Sequence, residues 1–187
     1  MKKEFLCLLC FVLLFTVGGC QKEEAKEKAS MSFYPSEFDE ETKTIINKYN
    51  NDMGYFDYVI NGSVKTYTIQ IYYLIDGKWE KSNYLFDDNP KKNGRIVYEA
   101  NKYYIEFMID DAIYHFENNI LSKINEATEY NSIFYRLDKL EKIKLNKEIT
   151  LFLMAYTKEN EIQASNLSGN LKDVKAEFGY AITIKFD

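Results

Sequence analysis

Few side chains of this 187-residue chain are strongly reactive. It has three cysteines, Cys7, Cys10 and Cys20, and one histidine, His115. Cys7 and Cys10 lie inside an apolar run, and Cys20 follows directly after that run ends in two glycines. A chain cut before Cys20 would keep a single cysteine, so it could form no internal disulfide and could not build a zinc site from His and Cys ligands. The chemistry most strongly indicated is therefore modification of Cys20 itself.

Residues 1–19 have the three parts of a secretion signal. Two lysines open the segment, residues 5–16 form an apolar stretch, and residues 17–19 (Val-Gly-Gly) precede Cys20. As a helix the apolar stretch would span roughly 18 Å, because each residue rises about 1.5 Å, whereas a hydrocarbon core is about 30 Å thick. We therefore predict a cleaved signal peptide over residues 1–19 rather than a membrane-spanning helix.

The tetrapeptide Val17-Gly18-Gly19-Cys20 resembles the lipobox of bacterial lipoproteins, in which an aliphatic residue and two small residues precede a cysteine. The resemblance implies that the bond between Gly19 and Cys20 is cut and that Cys20 carries a diacylglycerol on its sulfur. Each buried methylene contributes about 0.8 kcal/mol, so two or three acyl chains hold a protein on a membrane. The expected location is the outer face of the cell membrane, and we expect no cofactor besides the covalent lipid on Cys20.

A charged segment without hydrophobic periodicity follows, and we interpret residues 20–34 as a lipid-anchored tether. The remaining residues, 35–187, are long enough for one domain with its own core. The net charge of the chain is −5, which argues against nucleic acid as a partner. We expect the protein to be a monomer.

One helix is predicted over residues 37–52. Ser36 and Asp39 have the spacing of a capping box with the shorter acid, and Gly54 follows the predicted end. An apolar stripe at helical spacing would face the domain, and its members are Phe38, Ile45, Tyr49 and Met53.

Beyond the helix the hydrophobic period changes from 3.6 to 2, which predicts strands with one face on a core. Alternation is clearest in residues 66–75, 102–109 and 180–186. Residues 148–157 are apolar on both faces and predict a strand covered on both sides. Turn dipeptides separate the strands at Asn61-Gly62, Asp76-Gly77, Asn93-Gly94, Asp110-Asp111 and Glu159-Asn160. The predicted fold is mainly β, an antiparallel β-sandwich or barrel-like arrangement with one N-terminal amphipathic helix.

The hairpin in YYLIDGKWEKS determines where Trp79, the single tryptophan, lies. A two-residue turn at Asp76-Gly77 pairs Leu74 with Trp79, whereas a three-residue loop with Gly77 in a bulge pairs Tyr73 with Trp79. We favour the three-residue loop, because it places every large apolar side chain of the hairpin on the core face. Trp79 is then a core anchor, and an exposed indole would instead favour carbohydrate stacking.

The chain contains no G-x-S-x-G, P-loop or G-x-G-x-x-G motif, and His115 in AIYHFEN is interpreted as a strand residue. We therefore expect no enzyme activity and no catalytic residue. Two acidic pairs are weak candidates for calcium, because loops at one end of a β-sandwich can supply the oxygen ligands that this ion needs. Turn formation is the favoured interpretation of both pairs, which are Asp87 with Asp88 and Asp110 with Asp111.

Five stretches together resemble a group of small, functionally unassigned lipoproteins of low-GC Gram-positive bacteria. They are IINKYNND, DYVINGSVKTYTIQIYYLIDGKWEKS, NGRIVY, KLNKEITLFL and GYAITIKFD. In that group proline often stands where this chain has Thr150. The resemblance implies an envelope location and a β-rich architecture, and it carries no catalytic residues.

Two classes of function agree with these observations. The first is a non-catalytic binding or interaction module at the cell envelope, with a glycan, a peptide or another protein as its ligand. The second is an accessory protein of the immunity or inhibitor type that acts on a protein partner. An exposed aromatic row on a sheet face would favour a glycan, and a flat acidic patch would favour a protein.

Overall fold

The structure, a computed structural model, describes residues 30–49, 53–101, 103–118, 130–158 and 170–187. These residues form one α-helix, α1 (Glu40–Tyr49), eleven β-strands and a short 3-10 turn (Leu171–Asp173). The strands are β1 (Ser32–Pro35), β2 (Met53–Val59), β3 (Tyr67–Ile75), β4 (Lys78–Asp87), β5 (Asn93–Ala100), β6 (Tyr104–Ile109), β7 (Ala112–Glu117), β8 (Asn131–Arg136), β9 (Glu141–Lys142), β10 (Glu148–Thr157) and β11 (Phe178–Phe186). The predicted signal peptide, the Gly19–Cys20 bond, the lipidation site Cys20 and the predicted turn Glu159-Asn160 lie outside the described residues.

The strands form two antiparallel sheets. The six-stranded sheet has the order β7-β6-β5-β2-β1-β9, and the five-stranded sheet has the order β4-β3-β11-β10-β8. Every strand pair in the described residues is antiparallel, as short turn connections favour. The prediction of a mainly β fold built from antiparallel sheets is confirmed.

The two sheets share one hydrophobic core, in which aromatic rings from both sheets are in contact. Phe33 of β1 stacks on Phe56 of β2 with 5.2 Å between ring centroids, and it lies 6.2 Å from Phe186 of β11. Phe186 also lies 6.0 Å from Tyr58 and 5.9 Å from Tyr67. The alternation seen in the sequence therefore directs one face of each sheet into this core.

Two glycines of the six-stranded sheet make room for tyrosine rings on the neighbouring strand. Gly54 lies opposite Tyr98, and Gly94 lies opposite Tyr58. A Cβ atom on either glycine would overlap the facing ring, so glycine is needed here for close packing. The predicted turn at Asn93-Gly94 is wrong, because both residues belong to β5.

Strand β10 contains a bulge at Leu151, where its pairing with β11 shifts by one residue and resumes between Phe152 and Ile182. A bulge of one residue moves the following side chains to the opposite face. This shift is one reason why both parities of the strand are apolar. Leu151, Phe152 and Leu153 are all buried, in agreement with a strand covered on both sides.

The folded region begins earlier than the sequence predicts. The expected tether extends to residue 34, but β1 pairs with both β2 and β9, and Phe33 is completely buried. The carbonyl of Met31 already accepts a hydrogen bond of 2.9 Å from the Ile143 N–H. The predicted boundary at residue 35 is therefore wrong. The sequence did not indicate β1, because a four-residue strand is too short to show an alternating pattern. The described core lies at or after Met31, so a chain that starts at residue 20 keeps all of it.

The N-cap of α1 is Asp39 and not Ser36. The Thr42 N–H donates to Asp39 Oδ1 at 2.8 Å, which is the bond that a capping side chain makes three residues ahead. Ile45, a member of the predicted apolar stripe, is 54% exposed. Residues 50–52 of the predicted helix lie outside the described residues.

Candidate functional site

Trp79 lies on the outer face of the five-stranded sheet and not in the core between the sheets. A two-residue turn, Asp76-Gly77, joins β3 to β4, and Leu74 pairs directly with Trp79. The φ angles of the turn residues are 49° and 75°, the left-handed values that a type I′ turn requires. The predicted three-residue loop and the predicted core position of Trp79 are therefore wrong.

A bulge in β4 explains how the shorter turn still buries apolar side chains. The pairing between β3 and β4 shifts by one residue after Gln70, so Leu85 packs toward the core between the sheets while Trp79 lies on the opposite face. Gln70 stabilises the bulge, since its Nε2 donates to the carbonyls of Ser82 at 3.2 Å and Asn83 at 3.1 Å. The turn prediction failed because it assumed one register along the whole hairpin.

A second apolar cluster covers the outer face of the five-stranded sheet. Residues 170–176 run across this face, and Leu171, Val174 and Ala176 pack on it beside Trp79 and Tyr135. The face that the sequence pattern describes as mixed is thus a second, smaller core. Its buried members are Tyr72, Leu74, Leu153, Ala155, Val174 and Ala181.

A cavity of about 760 Å³ lies beside this second cluster. Its volume is within the range of roughly 300–1,000 Å³ that is usual for small-molecule sites. The β3–β4 hairpin forms one wall of the cavity, and the chain from β8 to β10 forms another. The start of the 170–176 segment lines the side of the cavity next to the second apolar cluster. The apolar lining consists of Tyr72, Trp79, Tyr135, Leu137, Ile149 and Leu171. The charged lining consists of Lys78, Lys142, Lys144, Lys147, Glu141 and Glu148.

The two tyrosines of the cavity are uncharged at neutral pH. The Tyr72 hydroxyl donates to Glu148 Oε1 at 2.7 Å. Burial, and after it the bond to Glu148, raises the pKa of Tyr72, and burial also raises the pKa of Tyr135. Because both phenols keep their protons at neutral pH, they add ring surface to the cavity without adding negative charge.

The indole nitrogen of Trp79 is a buried donor with no hydrogen-bond partner among the described residues. An unsatisfied buried donor costs about 1–3 kcal/mol. Among the described residues, Trp79 therefore contributes to the fold through the packing of its ring and not through a hydrogen bond of its indole N–H.

A fixed turn carries two of the lysines that line the cavity. Asn146 has a φ of 63°, which Asn tolerates better than most residues, and the Lys147 N–H donates to the Lys144 carbonyl at 3.2 Å. The Asn146 N–H donates to the Phe186 carbonyl at 2.8 Å and ties the turn to the end of β11. Backbone hydrogen bonds thus hold the Cα atoms of Lys144 and Lys147 beside the cavity.

The acids that line the cavity have partners, whereas three of its lysines have no carboxylate partner among the described residues. Glu148 accepts the tyrosine hydrogen bond, and Glu141 lies 3.8 Å from Lys139 Nζ. Within the described part of the chain, no carboxylate lies within 4.0 Å of the Nζ atoms of Lys78, Lys144 and Lys147. The wall of the cavity is therefore basic, although the net charge of the chain is −5.

The acidic pairs that were candidates for calcium lie in turns and strand ends. Asp110, with a φ of 51°, opens the two-residue turn between β6 and β7 and lies 3.0 Å from Lys91 Nζ. Asp87 is the last residue of β4, and its Oδ1 accepts a hydrogen bond of 2.8 Å from the Asn89 N–H. Asp88 directly follows Asp87, and Asp111 is the second residue of the turn that Asp110 opens. In the ranges that the structure describes, no three His, Cys, Asp or Glu residues are grouped so that they could hold a metal ion.

His115 lies on β7, an edge strand of the six-stranded sheet, and its predicted strand position is confirmed. Its Nδ1 lies 3.4 Å from Glu106 Oε2, and its ring centroid lies 5.1 Å from that of Tyr104. The side chain is half exposed. His115 does not line the cavity.

No protein-family model matches this chain, and comparisons with curated proteins and with solved structures found no match. Of the helical residues described, none belong to a helix long and apolar enough to cross a membrane. The cavity must therefore be interpreted from its own geometry.

Sequence reasoning identified Trp79 as informative, assigned it to the wrong face and missed the rest of the cavity. One available signal was the pair of apolar residues Tyr72 and Leu74 on the face described as mixed, which indicates a second covered face. The covering segment, residues 170–176, is short and largely polar and gives no such signal.

Proposed function

We propose that this chain is a non-catalytic binding module whose ligand enters the cavity beside Trp79. The two sheets would form the β-sandwich that carries the cavity, and a lipid on Cys20 would hold the module on the outer face of the cell membrane. The support for membrane anchorage is the sequence of residues 17–20. The support for the ligand site is the cavity.

The observation that carries the binding proposal is the combination of volume and lining. A cavity of about 760 Å³ can enclose a small molecule, a short glycan or a few residues of a peptide. Trp79, Tyr72 and Tyr135 line it with rings, which give large contact area at a low cost in conformational entropy. The charged side chains of the lining would orient the ligand.

The lining of the cavity favours binding over catalysis. No serine, cysteine or histidine is among the described residues that line it, so the described lining holds no Ser–His or Cys–His pair. Glu148, one of its two acids, already accepts a hydrogen bond from Tyr72.

N-phenyl-1-naphthylamine, a neutral probe that fluoresces in apolar surroundings, tests the proposed site. The chain from residue 20 with Cys20→Ser is expected to bind about one probe molecule. Trp79→Ala is expected to raise the dissociation constant about thirtyfold, because a central aromatic contact contributes roughly 2 kcal/mol. Fluorescence titration measures the dissociation constant.

Tyr84→Ala is the matched control for this titration. Tyr84 lies on the same strand as Trp79, but it is 64% exposed and does not line the cavity, so the affinity should stay at the wild-type value. Trp79→Phe keeps a ring and should have an intermediate affinity. Urea unfolding of each variant separates loss of binding from loss of folding. An equal loss in Tyr84→Ala, or none in Trp79→Ala, would contradict the proposal.

A protein partner is the second candidate, and the edge strand β4 is the observation in its favour. Tyr84 and Phe86 on this strand are 64% and 57% exposed, and an edge strand offers unpaired backbone groups to another chain. An immunity or inhibitor role would use this surface. Binding of the protein partner would then be lost in the Tyr84→Ala and Phe86→Ala variants and retained in the Trp79→Ala variant.

A further inference from the structure

We infer that the ligand of the cavity is a small anion joined to an apolar, ring-bearing body. The inference rests on the proposed binding function and names the ligand class of that same site. Two independent properties of the lining carry it, namely the excess of lysines without carboxylate partners and the aromatic rings that line the same cavity.

The charge of the lining is opposite to the charge of the whole chain. Four lysines and two glutamates line the cavity, on a chain with a net charge of −5. Glu148 and Glu141 have a tyrosine and a lysine as partners, respectively. The lysines at positions 78, 144 and 147 have no carboxylate partner among the described residues. An anion in the cavity would be attracted by several charges at once, and a cation would be repelled by them.

The unpartnered lysines are attached to backbone that is fixed before any ligand arrives. Lys78 directly follows the Asp76-Gly77 turn. Lys144 and Lys147 flank the Asn146 turn, which is tied to β11 by a hydrogen bond. Since only the side chains remain to be ordered, binding of an anion loses less conformational entropy here than on a mobile loop.

The body of the ligand follows from the rings of the lining. Trp79 and Tyr72 belong to the second apolar cluster, and the Tyr72 hydroxyl is already bonded to Glu148. The Tyr72 hydroxyl is therefore not free, and the unsatisfied Trp79 Nε1 atom is buried, so both side chains offer mainly apolar ring surface. A ligand of charge alone, such as inorganic phosphate, would leave this surface in contact with water and would gain little from it.

Two probes that differ by one anionic group test the inference. 8-Anilinonaphthalene-1-sulfonate has the rings of N-phenyl-1-naphthylamine and adds a sulfonate. In the Cys20→Ser chain from residue 20, Lys144→Gln together with Lys147→Gln is expected to weaken binding of the sulfonate probe roughly tenfold, because each exposed charge pair contributes up to about fivefold. Binding of the neutral probe should change less than about twofold, since its contacts are with the rings.

Lys91→Gln together with Lys92→Gln is the matched control, because it removes the same charge from residues that do not line the cavity. Its affinity for the sulfonate probe should stay within about twofold of wild type, because neither lysine lines the cavity. If the cavity variant weakens both probes equally, or if the control variant loses as much affinity as the cavity variant, the anionic ligand class is wrong and the cavity remains a binding site. If neither probe binds the unmodified chain, the proposed function fails together with the inference.

Discussion

Replacing Cys20 by alanine is expected to abolish the attachment of radiolabelled palmitate to the full chain in a bacterial host that processes lipoproteins. Without the thiol no diacylglycerol can be attached, and the signal cut before residue 20 should fail as well. Two acyl chains hold a protein on a bilayer far longer than one, so nearly all of the wild-type label should be found with the membrane. Labelling followed by fractionation of the cells measures both the attachment and the location.

Cys7→Ala together with Cys10→Ala is the control for this experiment. Both cysteines lie in the predicted signal peptide and should leave with it, so the label should remain on the chain. A Cys20→Ala chain that still incorporates palmitate would contradict lipidation at this residue. Label that depends on Cys7 or Cys10 would contradict the predicted cut between Gly19 and Cys20.

Replacing Phe186 by alanine is expected to lower the free energy of unfolding by about 3–5 kcal/mol. Phe186 is completely buried and lies near the rings of Phe33, Tyr58 and Tyr67 from strands of both sheets. Its removal leaves a cavity between the sheets, which neighbouring strands cannot fill without moving. Urea unfolding followed by Trp79 fluorescence measures the change.

Phe86→Ala makes the same chemical change at an exposed position and serves as the control. Phe86 is 57% exposed on the edge strand β4, so we expect a change within about 0.5 kcal/mol. Phe186→Leu keeps most of the volume and should lose less stability than Phe186→Ala, which provides a measurement if the alanine variant does not fold. Similar losses for Phe186→Ala and Phe86→Ala would mean that Phe186 is not part of the shared core.

Local sequence patterns predicted the strands that alternate over their whole length. In β3 and β11 the period of two follows from the large apolar side chains that face the core between the sheets, and the sequence indicated both strands to within a few residues of the observed bounds. The apolar character of both faces of β10 correctly indicated a strand covered on both sides. These predictions succeeded because each depends only on neighbours along the chain.

The failures occurred where the register changes or where an element is very short. The β4 bulge lets Leu85 and Trp79 lie on opposite faces of the sheet. The prediction assumed a single register, and Trp79 was therefore expected in the core between the sheets, whereas it lies in the second apolar cluster. Asn93-Gly94 has the composition of a turn, but Gly94 is there because Tyr58 lies over it. Such packing depends on a neighbouring strand, which no local pattern reports.

The cavity could not be predicted from the sequence for a similar reason. Its walls come from the β3–β4 hairpin, from residues 135–150 and from the segment that begins at residue 170, which approach one another only in the folded chain. The lysines of the Asn146 turn are ordinary surface residues until Trp79 and Tyr72 are placed opposite them. What the sequence did supply was the residue with which the cavity can be observed, since the chain has a single tryptophan.

The indole N–H resonance of Trp79 provides the most direct test that the cavity is a ligand site. A ¹⁵N-labelled chain from residue 20 with Cys20→Ser should show one indole cross-peak in its NMR spectrum, because it contains one tryptophan. Titration with 8-anilinonaphthalene-1-sulfonate is predicted to shift this peak with the dissociation constant that the probe's fluorescence gives. An indole peak that stays in place while the fluorescence saturates would mean that the probe binds elsewhere, and would contradict the proposed site.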